Sequence, residues 1–229
     1  SNTTRRILLL LESRGLVEQA PVRERVLRSV LKRYLQEDRP YEKAANHVRV
    51  PHFLMNDIVR FWRTMAVDYA AKRRDRDHKG WAIRTIKLRM SRKLTFAAGM
   101  AMCLRCEVAP PRSLTPTFQN PSDFYAALES YFFEHADRTP LEIIAKFALE
   151  LGAPATAKKI FDSYNDFLAV LGEQTNREHL DKLCFEDASD DKLFQRTREI
   201  GREFEAALID LFFNTNAELT KAIQKYGVF

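Results

Sequence analysis

The sequence predicts an all-α protein, a helical bundle of about eight to ten helices in two closely packed subdomains. Only seven glycines occur in 229 residues, and nearly every long segment repeats apolar residues at intervals of three and four, the period of an α-helix. Evidence for strands is thin, because the one short β-like run, residues 48–53, is interrupted by Pro51. An apolar content of 45% is sufficient for a substantial core.

The N-terminal half is predicted to contain four helices. The first should have Thr3 or Thr4 as its cap and should end at Gly15. The polar segment 37–49 is predicted to be a loop, and Pro110 follows the end of the fourth helix. The predicted helices are residues 4–14, 22–36, 53–72 and 81–106.

Helix starts are clearest in the C-terminal half. Pro121 is followed by Ser122 and Asp123, and Pro140 is preceded by Thr139. Proline beside such residues is typical of the first turn of a helix. The predicted helices are residues 121–135, a helix that opens at 139–142, and then 154–171, 176–183, 192–214 and 217–226.

Proline content and charge divide the chain into two parts. Residues 108–121 hold four prolines and are predicted to link a subdomain of residues 1–107 to one of residues 122–229. Residues 1–105 carry 24 Lys/Arg against 10 Asp/Glu, a net charge of +14, and the remainder carries −8. The basic half is therefore expected to bind an anionic ligand or nucleic acid, unless the two halves neutralise each other by packing together.

Cysteine usage and hydropathy indicate a cytoplasmic protein. Three cysteines are an odd and sparse set, which favours a reducing compartment over a disulfide scaffold. Apolar runs such as Ile7–Leu11 are far shorter than the roughly 20 residues of a membrane span. No membrane partner is predicted.

Basic residues at helical spacing on the third and fourth helices form the candidate phosphate-binding cluster. Intervals of three and four residues put side chains on one helix face, and several cations held together are costly unless an anion neutralises them. Lys87 and Ser91 are four residues apart, so an ammonium group and a hydroxyl could bind the same phosphate. The alternative is a solvated basic face. The candidates are Arg60, Arg63, Arg84, Lys87, Ser91, Arg92 and, at the end of the same basic run, Lys93.

Asn56 and Asp57 are candidate orienting residues, because they lie among apolar residues at the start of the third helix. Polar groups near a core need partners. Asp57 could therefore form an internal salt bridge, for instance with an arginine of the next helix, or it could orient an arginine that binds a ligand phosphate.

Other motifs carry weaker signals, and no metal site is predicted in this chain. The pair Asp75 and Asp77 lies in a basic polar segment without a strand to stiffen it, so a solvated loop is expected. Cys103 and Cys106 form a lone C-x-x-C, and a structural zinc site normally needs four ligands, so we expect both to be buried helical cysteines. No Walker loop, G-x-G-x-x-G or Ser-His-Asp order occurs, so no catalytic residue is predicted.

Four segments carry a resemblance to a known family: RRILLLLESRGL, FLMNDIVRFWRTMAVDYAAKRRD, WAIRTIKLRMSRKLTFAAGM and the final YGVF. Together they resemble the C-terminal helical part of bacterial nucleotidyltransferase-like proteins of the DNA polymerase β superfamily, over nearly the whole chain. The resemblance implies that a catalytic domain, in the same or another chain, supplies the Gly-Ser and D-x-D motif that binds magnesium. That motif is absent from this sequence, so nucleotide transfer is not expected of this chain alone.

The resemblance also implies a ligand, a magnesium-bound nucleoside triphosphate, contacted by Lys87, Ser91 and Lys93 with Arg60 and Arg63. Two alternatives stay open. One is a module that binds RNA or DNA through the basic half, which predicts strong salt dependence. The other is a helical protein-interaction or dimerisation domain, in which the cations pair with acidic residues of the C-terminal half.

Overall fold

The computed structural model describes residues 2–13, 20–36, 50–75, 80–115 and 118–227, and this part of the chain is almost entirely helical, without any strand. The predicted all-α class is thereby confirmed. The helices are α1 (Asn2–Glu12), α2 (Ala20–Leu35), α3 (His52–Asp75), α4 (Trp81–Lys87), α5 (Lys93–Val108), α6 (Pro121–Ala136), α7 (Pro140–Glu150), α8 (Pro154–Gly172), α9 (Gln174–Lys182), α10 (Lys192–Ile209) and α11 (Ala217–Gly227).

Proline and short polar side chains determine where the C-terminal helices begin. Helices α6, α7 and α8 each have proline in the first turn, as the sequence predicted. Thr139 and Glu142 form a capping box at α7: the Thr139 hydroxyl accepts a hydrogen bond from the Glu142 N–H, and the Glu142 carboxylate accepts one from the Thr139 N–H. Each such cap satisfies backbone groups that would otherwise have no partner.

The predicted start of the first helix was wrong. Helix α1 already includes Asn2, so Thr3 and Thr4 lie inside its first turn and neither is its cap. The predicted end at Gly15 and the predicted loop at 37–49 lie outside the described residues.

Two of the predicted long helices contain a π turn that the sequence did not reveal. The first π turn, Leu88–Arg92, joins α4 to α5 into one continuous helix, and the second π turn, Asp210–Asn214, continues α10. In a π turn the backbone N–H bonds to the carbonyl five residues earlier, which shifts the face on which the following side chains lie. Apolar periodicity predicted the extent of both helices, but it does not resolve a single inserted residue.

Helix α5 lies at the centre of the core and packs against α1, α3, α7 and α11. Its residues from Ala97 to Cys106 are all buried. Gly99 allows the close approach of two neighbouring helices, because a Cβ at this position would lie 3.0 Å from Leu11 Cδ1 of α1 and 3.1 Å from the Ile58 side chain of α3.

The two charge-divided halves share one buried apolar cluster. Helix α2 of the N-terminal half packs on α6, and α5 packs on α7, while α8 and α10 pack along each other. Within the predicted linker, residues Arg112–Leu114 form a 3₁₀ turn, and Leu114 is buried. The division into subdomains stays a prediction. None of the described helices is long and apolar enough to cross a membrane.

Candidate functional site

The candidate residues lie on four consecutive helical segments. Asn56, Arg60 and Arg63 are exposed on α3, and Lys87 is exposed near the end of α4. The other candidates are half-buried: Arg84 on α4, Ser91 and Arg92 in the first π turn, and Lys93 at the start of α5.

The Asp57 carboxylate lies at the centre of a polar cluster that connects α1, α2 and α3. The Tyr34 hydroxyl donates a hydrogen bond of 2.6 Å to this carboxylate. Arg60 lies 3.3 Å away on the same helix, and Arg6 of α1 lies 3.6 Å away. Burial and the hydrogen bond to Asp57 raise the pKa of Tyr34, so the Tyr34 hydroxyl stays protonated and donates this hydrogen bond.

This arrangement favours the internal ion pair over the hypothesis of an orienting residue. The carboxylate of Asp57 is satisfied within the protein, and Arg60 keeps 72% of its side chain exposed. The prediction that Asp57 pairs with an arginine of the next helix was wrong. The arginines that pair with Asp57 come from α1 and from α3 itself.

Two of the candidate cations are paired with carboxylates from distant parts of the chain. Arg92 donates from Nη1 to both carboxylate oxygens of Glu12, at 2.8 and 3.0 Å. Lys93 donates to Glu205 of α10 at 2.7 Å. An external anion would therefore have to compete with a carboxylate at both positions.

Lys87 differs from these residues, because it forms no ion pair with any described carboxylate. Ser91 follows one turn later, and its Oγ accepts a hydrogen bond of 3.3 Å from the Tyr164 hydroxyl of α8. Because Oγ accepts this bond, its own proton remains available for a ligand. We refer to Lys87, Ser91 and Tyr164 as the Lys87 face.

The Lys87 face has the chemistry of a small anion site. An ammonium group contributes positive charge and three donors, and a hydroxyl contributes a further donor. Charge-assisted hydrogen bonds of this kind are stronger than those between neutral groups. Helix α4 provides Arg84 three residues before Lys87, and Arg84 has interaction partners of its own.

The cysteine pair is buried, as the sequence predicted. Cys103 and Cys106 are inaccessible within α5, whereas Cys184 is exposed. Burial raises the pKa of Cys106 to about 12, so its thiol stays protonated at neutral pH. Of the D-x-D motif only Asp75 lies in the described chain, at the last position of α3. Among the described residues, no three His, Cys, Asp or Glu side chains are grouped so that they could hold a metal ion.

Sequence reasoning missed a buried polar network around Arg105. This arginine forms an ion pair with Glu150 and donates from Nη1 to His135 Nε2 at 3.1 Å. The other ring nitrogen, Nδ1, lies 2.8 Å from the carbonyl of Tyr131 and donates to it. Burial lowers the pKa of His135 to about 4, so its ring is neutral at pH 7. The available signal was a charged residue within the apolar run of α5.

Comparisons with protein families, with curated proteins and with solved structures find no match for this chain.

Proposed function

We propose that the chain is the helical nucleotide-binding part of a nucleotidyltransferase-type protein, and that it binds ligand phosphate groups at the Lys87 face. The observation that carries this proposal is the exposed Lys87, which lacks a described carboxylate partner and lies one turn from a hydroxyl positioned by Tyr164. Of the other candidate cations on the same continuous helix, Arg92 and Lys93 already have carboxylate partners.

In this proposal Lys87 donates to an oxygen of the terminal phosphate groups, and the Ser91 hydroxyl donates to a neighbouring oxygen. Positive charge at this point offsets the negative charge of a triphosphate, which is the main requirement of phosphoryl and nucleotidyl transfer. Magnesium would be held by the carboxylates of a catalytic domain in the same or another chain. The role of this chain is to bind and orient the magnesium-bound nucleotide.

The exposed residues of α3 are proposed as secondary contacts. Arg63 is exposed and has no ion-pair partner among the described residues, and Arg60 is largely exposed despite its contact with Asp57. Asn56 lies one turn before Arg60 on the same exposed side. A reducing compartment, in keeping with the three cysteines that form no disulfide, makes the bacterial cytoplasm the proposed location.

The same exposed arginines favour RNA binding as a second candidate function. A single-stranded or structured RNA would contact Arg60, Arg63 and Lys87 together through several phosphates, and its affinity would fall steeply with salt. A nucleotide held at one compact face would lose less affinity, since fewer phosphates are involved.

Calorimetric titration separates these possibilities. The chain is titrated with magnesium-bound ATP, with inorganic triphosphate and with a short RNA, at low and at high salt. Lys87→Ala should weaken binding of both small ligands at least about tenfold, because a charge-assisted hydrogen bond is lost. Lys32→Ala is the matched control, since Lys32 is an exposed lysine of the same basic half on α2.

Each outcome has a distinct meaning. Saturable binding of ATP that depends on Lys87 and not on Lys32 supports the proposal. Salt-sensitive binding of RNA alone favours the nucleic-acid module. If neither ligand binds, the proposal is wrong, and the ion pairs Arg92–Glu12 and Lys93–Glu205 would favour a protein-interaction domain.

A further inference from the structure

An apolar groove of about 550 Å³ opens between α3, α5, α10 and α11, and it is separate from the Lys87 face. Ten of its thirteen lining residues are apolar. Trp62 of α3 and Phe96 of α5 stack in one wall, with ring centroids 5.5 Å apart and an interplanar angle of 28°. This volume lies in the range of small-molecule sites, about 300–1,000 Å³.

The apolar lining favours a ligand that is itself largely apolar. A nucleobase or sugar carries several polar groups that need partners when they leave water. Of the lining residues that the structure describes, Gln224 is the only polar one besides Lys93 and Glu205. An alkyl chain needs no such partners, and it gains free energy with every methylene that leaves water.

Among the described lining residues only Lys93 and Glu205 are charged, and they form an ion pair of 2.7 Å. They differ in exposure. The Lys93 side chain is 18% exposed, whereas the Glu205 side chain is 51% exposed. Glu205 can therefore turn into water more readily than Lys93, which is held in the wall of the groove.

This difference determines which charge the ligand should carry. If Glu205 turns away, the ammonium group of Lys93 is left half-buried and in need of an anion. If Lys93 were displaced instead, a more deeply buried side chain would have to leave its packing. With Glu205 turned into water, the groove is complementary to a ligand with an anionic head group.

Both π turns border this groove. The first ends at Arg92, directly before Lys93, and the second contains Phe212 and Phe213, which line the groove. Single π turns within α-helices occur frequently at functional sites. Phe213 and Ile209 also remain 48% and 50% exposed, so apolar surface at the opening is in contact with water.

We propose that this groove binds a single-chain carboxylate amphiphile, such as a fatty acid. The alkyl chain lies along the aromatic wall, and the ligand carboxylate takes the position of the Glu205 carboxylate at Lys93. Glu205 thus acts as an internal competitor that is displaced when the ligand binds.

The test is calorimetric titration of the full chain with dodecanoate below its micelle concentration, with decanoate and dodecanol as comparisons. Each methylene should contribute about fourfold in affinity, so dodecanoate should bind more than about tenfold tighter than decanoate. Glu205→Gln should tighten dodecanoate binding severalfold, because the competitor loses its charge. Lys93→Met should reduce dodecanoate binding to the level of dodecanol.

A matched pair of surface variants locates the site. Ile209→Asp puts a negative charge at the groove and should abolish binding of dodecanoate. Leu168→Asp is the control, because Leu168 has nearly the same exposure, 49%, and lies on α8 outside the groove. Both positions are exposed, and circular dichroism checks that both variants fold.

The proposal is overturned if neither the wild-type chain nor Glu205→Gln binds dodecanoate. It is also overturned if Glu205→Gln leaves the affinity unchanged or weakens it, or if Ile209→Asp and Leu168→Asp have equal effects.

Discussion

Tyr164 of α8 donates a hydrogen bond from its hydroxyl to Oγ of Ser91, which lies 73 residues earlier in the chain, at 3.3 Å. This contact joins the acidic half of the protein to the most basic helix of the other half. Because the Ser91 oxygen accepts this hydrogen bond, the proton of the Ser91 hydroxyl stays free for another acceptor.

Tyr164→Phe should therefore weaken phosphate binding without unfolding the protein. Loss of one neutral hydrogen bond between part-buried groups corresponds to about 1 kcal/mol, or a two- to tenfold change in affinity. The measurement is the affinity for inorganic triphosphate, with thermal unfolding as the check on stability. Tyr69→Phe is the control, since Tyr69 makes a similar hydroxyl contact with Thr85 of α4. Equal losses in both variants would contradict a specific role for Tyr164.

Asp57→Asn should lower stability and leave phosphate affinity unchanged. The substitution removes the negative charge that balances Arg6 and that accepts the hydrogen bond from the Tyr34 hydroxyl. Such a loss at a buried site costs about 1–3 kcal/mol of stability. The free energy of unfolding in urea measures the first effect, and triphosphate titration measures the second. Should Asp57→Asn instead weaken triphosphate binding as strongly as Lys87→Ala, Asp57 would be an orienting residue after all.

Gly99→Ala should destabilise the protein by about 1–3 kcal/mol, because the added methyl group overpacks the contact between α1, α3 and α5. The Cβ would lie 3.0 Å from Leu11 and 3.1 Å from Ile58. Gly172→Ala is the matched control, since a Cβ there has no neighbour within 4 Å and alanine favours the helix. Chemical denaturation of both variants compares these effects. A Gly99→Ala variant as stable as the control would contradict the close packing of α5.

His135 should make the protein acid-sensitive between about pH 6.5 and pH 4. Its pKa is lowered from 6.5 to about 4, chiefly by burial. The hydrogen bond to the Tyr131 carbonyl and the charge of Glu134 oppose this shift, whereas Arg105 and Lys146 add to it. The unfolded chain therefore binds a proton in this range that the folded protein does not, so stability falls as the pH falls. The full loss of stability, reached once the pH is below 4, is about 3 kcal/mol.

Unfolding curves measured across this pH range test the role of His135. His135→Gln keeps a neutral acceptor for Arg105 and should flatten the dependence of stability on pH, whatever its effect at pH 7. His52→Gln, at an exposed histidine of α3, should leave the dependence unchanged. A His135→Gln variant with the wild-type slope would show that other groups cause the acid sensitivity.

The sequence predicted the helices well because the information for them is local. Apolar periodicity gave their extent, and prolines and capping residues such as Thr139 gave their starts. The partners of the candidate cations are not local: Glu12 lies 80 residues before Arg92, and Glu205 lies 112 residues after Lys93. No spacing rule connects residues so far apart, so the predicted cluster of cations could not be divided into paired and unpaired residues.

The π turns and the buried network were beyond sequence reasoning for a different reason. A π turn depends on one inserted residue, which leaves the apolar pattern on either side intact. Arg105 stood in an apolar run of α5, a signal for a buried ion pair, but the identity of its partners His135 and Glu150 depends on the packing of α6 and α7.

Phosphate binding at the Lys87 face can be tested by mapping the binding of magnesium-bound ATP on the protein by NMR. Backbone amide shifts are recorded for the wild-type chain and for Lys87→Ala during titration. We expect the largest changes at residues 84–91 and around Tyr164, and we expect them to disappear in Lys87→Ala. Changes confined to other parts of the chain, or equal changes in both proteins, would contradict phosphate binding at the Lys87 face.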